Sequence, residues 1–166
     1  MVSISEATES SVWEVLKNIP DPEVPVLSIV DLGIVRNILI SENEIEVTLT
    51  PTYSGCPAMK VIEDEIVSQL KETGISEVRI KTIFTPVWTT DWISEEAKEK
   101  LRAYGIAPPE KTSVDKGSLT GKPKNISCPR CNSTNVAMIS QFGSTACKAL
   151  YRCSDCREPF DYFKCH

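Results

Sequence analysis

Two short motifs near the carboxyl end of the chain, Cys128-Pro129-Arg130-Cys131 and Cys153-Ser154-Asp155-Cys156, decide how that segment folds. The 21 residues between them are close to the spacing expected of a four-thiolate zinc site. Two residues between cysteines let both sulfurs turn toward one ion, and two such turns complete a tetrahedral shell. Cys128, Cys131, Cys153 and Cys156 are therefore predicted to hold a structural Zn²⁺ ion, with no position left open for a substrate.

Other groups in this segment could compete for the metal. Cys147 lies six residues before the second motif, and Cys165 with His166 lies nine residues beyond it. Cys147 is more simply explained as a small buried residue in a ribbon strand, and Cys165 and His166 as a frayed end. The same four thiolates could hold iron in a rubredoxin-like site, although zinc is the commoner occupant.

The composition of the 166 residues is that of an ordinary globular protein, with 41% hydrophobic and 25% charged residues. A segment of about 40 residues rarely buries enough apolar surface to fold alone, and a bound metal offsets that deficit. The sequence contains neither an apolar run of about 20 residues nor a secretory signal. A cytoplasmic protein without membrane contact is therefore expected, whose seven cysteines are metal ligands or reactive thiols rather than disulfides.

The net charge of −5 conceals two segments of opposite charge. Residues 1–110 carry 9 Lys/Arg against 19 Asp/Glu, and residues 111–166 carry 9 against 4, which gives −10 and +5. A basic segment of this kind favours docking on an acidic domain or partner. Nucleic acid binding is the weaker interpretation, because no basic stripe with interleaved aromatic residues accompanies the charge.

Apolar periodicity predicts the elements of the preceding chain. A capping box at Ser11-Val12-Trp13-Glu14 predicts a short first helix that ends before Pro20. The later elements are a hairpin of strands at 34–40 and 44–49, a main helix after Pro57 ended by Gly74, a third strand at 78–84, and a last helix capped by Ser94. The order α-β-β-α-β-α predicts an α+β domain, a small sheet with helices packed on it.

The composition also predicts domain boundaries. Residues 108–125 are rich in Pro, Gly, Ser, Thr and Lys and have few apolar side chains, which is typical of a linker. We therefore expect an α/β domain at 1–107, a linker at 108–125 and a zinc ribbon of two or three short strands at 126–166.

Cys56 occupies a chemically distinctive place, in Thr50-Pro51-Thr52-Tyr53-Ser54-Gly55-Cys56-Pro57, where the second strand leads into the main helix. Unpaired N–H groups and the dipole at a helix amino end favour a thiolate, so the pKa of Cys56 is expected below its usual value of about 8.5. Gly55 allows close backbone approach, and the neighbouring hydroxyls lie around the same spot. The alternative is a small buried residue that fills a turn.

Two groups of carboxylates precede the hairpin, in Asp21-Pro22-Glu23-Val24-Pro25 and Asp31-Leu32-Gly33. Taken locally, they are typical of turn and cap residues. The sequence offers no evident general base, because the single histidine is the terminal residue, His166. A hydrolase or transferase that uses a Cys/His pair is therefore disfavoured, and a non-catalytic protein is expected.

Taken together, the segments at 21–25, 29–35 and 50–57 resemble the metal-sulfur cluster assembly family, which includes SufT-like proteins and cytosolic Fe–S targeting factors. The segment Pro86-Val87-Trp88-Thr89-Thr90-Asp91-Trp92-Ile93-Ser94 and the ribbon extend the resemblance over essentially the whole chain. They narrow it to accessory proteins of the phenylacetyl-CoA epoxidase of phenylacetate degradation.

The resemblance implies an accessory factor that helps to load or repair an Fe–S cluster, with the reductase component of the epoxidase as its client. Cys56 matches the reactive cysteine of the family and would be a transient cluster ligand. The residues that fall on motif positions near it are Asp21, Glu23, Asp31, Thr50 and Thr52.

Two other functions remain open from the sequence. The first is a non-catalytic structural subunit of the epoxidase complex, and the second is a zinc-ribbon regulator that binds nucleic acid. A homodimer formed through the sheet edge or the helices is compatible with any of the three functions.

Overall fold

The computed structural model describes residues 8–42, 44–110 and 125–164. The chain divides into two compact units, Met1–Trp88 and Thr89–His166. The division into residues 1–107, 108–125 and 126–166 remains a prediction, and most of its linker, residues 111–124, lies outside the described residues.

The first unit begins with helix α1, Glu9–Lys17, which buries Val12 and Leu16. Its N-cap is Thr8, whose hydroxyl accepts the Ser11 N–H at 3.2 Å, while the Ser11 hydroxyl accepts the Thr8 N–H at 3.1 Å. The capping box is therefore built three residues earlier than predicted, and Ser11 is its N3 partner rather than its cap. A serine hydroxyl here plays the part that Glu or Gln usually plays.

The sheet of this unit has three strands, β1 (Val35–Ile40), β2 (Ile45–Leu49) and β3 (Val78–Thr82), in the order β1-β2-β3. β1 and β2 form the predicted antiparallel hairpin, and β3 runs parallel to β2. The central strand β2 carries the most deeply buried side chains, since Ile45, Val47 and Leu49 are all 0% exposed. The third strand ends at Thr82, two residues before the predicted end at Phe84.

Helix α2, Ala58–Glu72, connects the parallel strands β2 and β3. Parallel neighbours cannot be joined by a tight turn, so a crossover of this kind is required. The buried face of α2 follows the predicted spacing and consists of Ala58, Met59, Ile62, Ile66 and Leu70. Gly74, just beyond the C-cap, has a φ of 96°, which explains a glycine at this end.

The second unit begins with helix α3, Glu95–Tyr104, capped by the Ser94 hydroxyl and ended by Gly105 in a left-handed conformation. The next two residues form strand β4, Ile106–Ala107, which pairs with a strand of the ribbon. The sequence placed this helix with the first sheet. It lies within the second unit, and the chain that leaves it enters the ribbon sheet directly.

The ribbon sheet also contains β5 (Val136–Ser140), β6 (Lys148–Cys153) and β7 (Pro159–Phe163), and its strand order is β4-β7-β6-β5. The three long strands are antiparallel, whereas β4 is parallel to β7. A small core lies beneath them and consists of Ala107, Ile126, Cys128, Cys153, Phe160 and Tyr162. A core of this size needs further stabilisation.

Within the described ranges, every helix falls short of the length and apolar character that a membrane crossing requires.

Candidate metal centre and candidate cluster site

The four cysteines of the two motifs converge on one point. Their Sγ atoms all lie within 4.8 Å of one another. Two of these separations are 3.7 Å, between Cys128 and Cys156, and 3.5 Å, between Cys131 and Cys153. Zn–S bonds of about 2.3 Å in a tetrahedron place the sulfurs roughly 3.8 Å apart. The donor set and its spacing therefore fit one tetrahedral metal ion, as predicted.

Each motif forms a tight turn, and the two turns are built alike. In both, the N–H of the first cysteine donates to the carbonyl five residues later, at 2.8 Å in the first motif and 3.0 Å in the second. The residues that directly follow the second cysteine of each motif, Asn132 and Arg157, both have a left-handed backbone, with φ of 60° and 64°. Asparagine adopts this conformation readily, whereas arginine does so rarely.

Asp155 ties the two motifs together. One of its carboxylate oxygens accepts the side-chain N–H of Asn135 at 3.0 Å, and the other accepts the hydroxyl of Ser133. The hydrogen bond from Ser133, and then that from Asn135, lower the pKa of Asp155 below its usual value. Because Ser133 and Asn135 follow the first motif and Asp155 lies inside the second, these bonds hold the two turns in register.

The thiols of the second motif differ in acidity. The backbone N–H of Cys156, followed by that of Asp155, lowers the pKa of Cys153 to about 7. The backbone N–H of Glu158 acts in the same direction on Cys156, but burial and the neighbouring thiols outweigh it and raise the pKa of Cys156 to about 12. A metal ion would displace the remaining protons, because thiolates are the ligands that bind zinc.

The other cysteines do not join this group among the described residues. Cys147 is 5% exposed and lies in the turn before β6, where its sulfur is 3.2 Å from the Thr145 hydroxyl oxygen. It is therefore a small buried residue. Cys165 and His166 lie outside the described residues.

Cys56 lies two residues before the first residue of α2 and is partly exposed. Its N–H donates to the Tyr53 carbonyl at 3.3 Å, and its own carbonyl accepts the Met59 N–H at 3.2 Å. Gly55 has a φ of 80°, and a Cβ placed on it would meet nothing within 4 Å. Glycine is therefore favoured here by the backbone conformation, not by the close approach of a neighbour that the sequence suggested.

Three loops meet at the end of the sheet where β2 and β3 finish and β1 begins. The Thr50 N–H donates to the Ile34 carbonyl at 2.8 Å, and the Ile83 N–H donates to the Leu49 carbonyl at 2.8 Å. We call residues 28–34, 50–57 and 83–88 together the loop end. Since β2 ends and β1 begins at this end of the sheet, the loop end includes Cys56 and, with it, Asp31, Thr50, Thr52 and Gly55.

Asp21 and Asp31 hold their own turns. The Asp21 carboxylate accepts the N–H groups of Glu23 at 2.9 Å and Val24 at 2.7 Å. The Asp31 carboxylate accepts the Ser28 N–H at 3.1 Å, and the Ser28 hydroxyl accepts the Asp31 N–H at 3.0 Å. These bonds are those of ordinary turn residues. A role for either carboxylate, or for the half-buried Glu23, in the chemistry of Cys56 stays a prediction.

The two threonines beside Cys56 differ. Thr52 is partly exposed, whereas Thr50 is 1% exposed and its hydroxyl oxygen has no hydrogen-bond partner among the described residues. Leaving such a group unpaired costs about 1–3 kcal/mol.

Sequence reasoning missed two surface features. At the loop end, Phe84 is 60% exposed and Val87 is 75% exposed, although both are large apolar residues. In the ribbon, Arg152 and Arg157 line one cavity. The apolar pair could have been suspected from its position beside Pro86, but the cavity depends on a strand pairing that no local pattern predicts.

Comparison with known proteins agrees with this architecture. Residues 9–81 match the iron-sulfur cluster assembly protein family, and residues 112–164 match the PaaD zinc beta ribbon domain. A protein of Escherichia coli K12, provisionally named as a subunit of 1,2-phenylacetyl-CoA epoxidase, is 46% identical over 165 residues, which cover 99% of this chain and 98% of that one. The chain belongs to the PaaD family.

Other relatives match a little over half of the chain. An Fe-S protein maturation auxiliary factor of Porphyromonas gingivalis is 33% identical over 96 residues, which cover 57% of this chain and 90% of that one. The crystal structure of a DUF59 domain from Bacillus anthracis has a TM-score of 0.53 and 28% identity, and the match covers 56% of this chain and 90% of that one. The predicted resemblance to the metal-sulfur cluster assembly family is confirmed.

Proposed function

We propose that this PaaD-family protein is an accessory factor for the assembly or maturation of an Fe–S cluster in an oxygenase system, acting in the cytoplasm through contact with a client protein. The client we propose is the reductase component of a phenylacetyl-CoA epoxidase. The names of the relatives support both the cluster chemistry and the epoxidase system. The observation that carries the proposal is a partly exposed Cys56 at the loop end of a domain that matches the cluster assembly family.

The number of available ligands favours transfer over storage. Among the described residues, the ribbon tetrad is the only group of three or more Cys, His, Asp or Glu side chains close enough to share a metal ion. Cys56 could therefore supply one thiolate to a cluster, and the other ligands would come from the client or from a second copy of the chain. A cluster held by a single thiolate of this chain can be transferred readily to the client protein.

The ribbon has a separate part in this proposal. Its four thiolates would hold zinc in a closed shell, so the metal stabilises the second unit and carries no chemistry. The ribbon then serves to recognise the oxygenase system, which agrees with its match to a PaaD domain.

Cluster transfer can be tested directly under anaerobic conditions. The protein is loaded with iron and sulfide, mixed with the cluster-free reductase component, and the reductase is then separated and assayed for iron and acid-labile sulfide. We expect transfer from the wild type and from Cys147→Ser, which replaces a cysteine outside the proposed site. Cys56→Ser should abolish transfer while it keeps zinc, and equal transfer from Cys56→Ser would refute the proposal.

A structural subunit is the second candidate, because the Escherichia coli relative is named as a subunit of the epoxidase. In that case the protein would co-purify with the epoxidase in a fixed ratio, and Cys56→Ser would change neither the complex nor the cluster content of the reductase. Transient association that depends on Cys56 supports the maturation factor instead. The predicted homodimer can be measured in the same samples by sedimentation.

A further inference from the structure

A cavity of about 330 Å³ opens on the ribbon beside the second zinc motif. It is lined by Ala137, Arg152, Cys153, Ser154 and Arg157. Ala137 on β5 and Arg152 on β6 are direct partners across the two strands. The small side chain of Ala137 leaves space above the strand pair, and the two arginines bring two guanidinium groups to its wall.

Both arginines are without a carboxylate partner within the described part of the chain. No ion pair found there includes Arg152 or Arg157. The nearby carboxylate of Asp155 is already engaged by the hydroxyl of Ser133 and the amide of Asn135. Arg152 donates its Nε–H to the Arg157 carbonyl at 3.2 Å, which fixes its guanidinium and leaves the terminal N–H groups for a ligand.

The backbone at Arg157 also indicates that its side chain has a purpose. With a φ of 64°, it occupies the left-handed position that Asn132 fills in the first motif. An ordinary side chain is strained in this conformation, and glycine or asparagine would relieve the strain. An arginine in such a strained position favours a functional contact of its guanidinium.

Exposed apolar side chains follow Ala137 along β5 and into the next turn. Met138 and Ile139 on β5 are 57% and 56% exposed, and Phe142 in the following turn is 59% exposed. Among the described residues β5 is an edge strand of its sheet, so the outer side of its backbone can pair with an added strand. Exposed apolar side chains beside an open strand edge favour a protein segment over nucleic acid.

The charge of the described ribbon also argues against nucleic acid. Residues 125–164 carry five Lys or Arg against three Asp or Glu. The excess is too small for a track along a phosphate backbone, and two of the five cations are concentrated in one cavity.

We propose that the cavity formed by Arg152 and Arg157, together with strand β5, binds an extended acidic segment of a partner protein. A carboxylate of that segment enters the cavity and accepts hydrogen bonds from the guanidinium groups. Its apolar residues lie against Ile139 and Met138. The two guanidinium groups favour a carboxylate as the occupant, and the edge position of β5 favours an extended segment.

The test uses the full-length, zinc-loaded protein and a fluorescent peptide in which Glu alternates with Val and Thr. A peptide of the same length with Gln in place of Glu is the matched ligand control. Binding is measured by fluorescence anisotropy at low and at high salt. We expect the acidic peptide to bind more tightly than the Gln peptide, with an affinity that falls as salt rises.

The variants distinguish the cavity from general surface charge. Arg157→Asn and Arg152→Gln should each weaken binding roughly tenfold, the loss expected for one hydrogen bond to a charged group. Arg157→Asn should keep its zinc and be no less stable than the wild type, since it removes backbone strain. Arg130→Gln, which changes an exposed arginine of the first motif outside the cavity, should bind like the wild type.

Several results would overturn the proposal. They are equal binding of the two peptides, unchanged affinity in both cavity variants, or the same loss in Arg130→Gln. Displacement of the peptide by inorganic phosphate or duplex DNA at the peptide's own concentration would replace the protein partner with a phosphate ligand. Loss of peptide binding when the chain forms a dimer would show instead that β5 pairs with a second copy of the chain.

Discussion

The indole N–H of Trp88 donates to the backbone carbonyl of Leu32 at 2.8 Å, a hydrogen bond that spans 56 residues of sequence. This hydrogen bond connects the loop after β3 to the loop before β1, two of the three loops that form the loop end. Trp88 is 3% exposed, whereas its neighbour Val87 is 75% exposed. The bond therefore holds this loop in place with an apolar side chain directed to solvent.

Replacing Trp88 by Phe tests this fastening. Phenylalanine keeps an apolar aromatic ring at this position but lacks the indole N–H. The Leu32 carbonyl then loses this hydrogen-bond donor. We expect the free energy of unfolding to fall by about 1–3 kcal/mol, measured by chemical denaturation. Trp13→Phe is the matched control, because the Trp13 indole N–H donates to the carboxylate of Glu9 on the exposed surface of α1. Equal losses in the two variants would contradict a special role for Trp88.

Zinc should be required for the fold of the second unit. Cys153→Ala removes one of the four ligands and should abolish stoichiometric zinc and the ordered β5–β7 signals in an NMR spectrum. Structural zinc sites in small domains contribute roughly 10 kcal/mol or more of binding free energy, which a small core cannot replace. Cys147→Ala should keep one zinc per chain. Full zinc content in Cys153→Ala would show that the tetrad is assigned wrongly.

Acid should release this zinc. Protons compete with the metal for the thiolates, so zinc affinity falls as pH falls. The pKa of Cys153 is about 7 and that of Cys156 is about 12. Above pH 7 the Cys153 thiolate is already formed, and below it one more proton opposes binding. The apparent affinity should therefore fall more steeply below pH 7, which a competition titration with a chromophoric chelator would measure. A dependence on pH that does not steepen there would contradict this assignment.

The bridge made by Asp155 offers a test of how the two motifs are held in register. Asp155→Ala removes the acceptor for Ser133 and Asn135, and we expect faster release of zinc to a chelator. Glu158→Gln is the matched control, because it removes an exposed carboxylate three residues after Asp155. The backbone carbonyl of residue 158, which accepts the Cys153 N–H, is kept. Glu158→Gln should release zinc at the wild-type rate. Release from Glu158→Gln as fast as from Asp155→Ala would contradict a role for the Asp155 hydrogen bonds in holding the metal.

Patterns within a few residues predicted most of the elements and the metal ligands. The spacing of Met59, Ile62, Ile66 and Leu70 identified α2, and the two Cys-x-x-Cys motifs identified the tetrad, because both signals are local. The two-residue strand β4 pairs with β7 more than fifty residues later, and so short a segment carries no periodicity. For the same reason the sequence did not predict that the chain leaving α3 adds a strand to the ribbon sheet.

The candidate cluster site was predicted less completely than the zinc site. The place of Cys56 before a helix and the family motifs predicted a role for its thiol, and that role stays a prediction. The hydrogen bonds that join the three loops of the site could not be predicted, because they link residues such as Trp88 and Leu32 that are distant in sequence. The cavity of Arg152 and Arg157 likewise depends on the register of β5 against β6.

The cluster content of the client in living cells tests the role of Cys56 most directly. Cells that produce the epoxidase system would carry the wild-type protein, Cys56→Ser or Cys147→Ser at equal levels, and the purified reductase component would be assayed for iron, acid-labile sulfide and its cluster spectrum. We expect normal occupancy with the wild type and with Cys147→Ser, and a loss with Cys56→Ser equal to that of cells lacking the protein. Normal occupancy in the Cys56→Ser cells would contradict the proposed function.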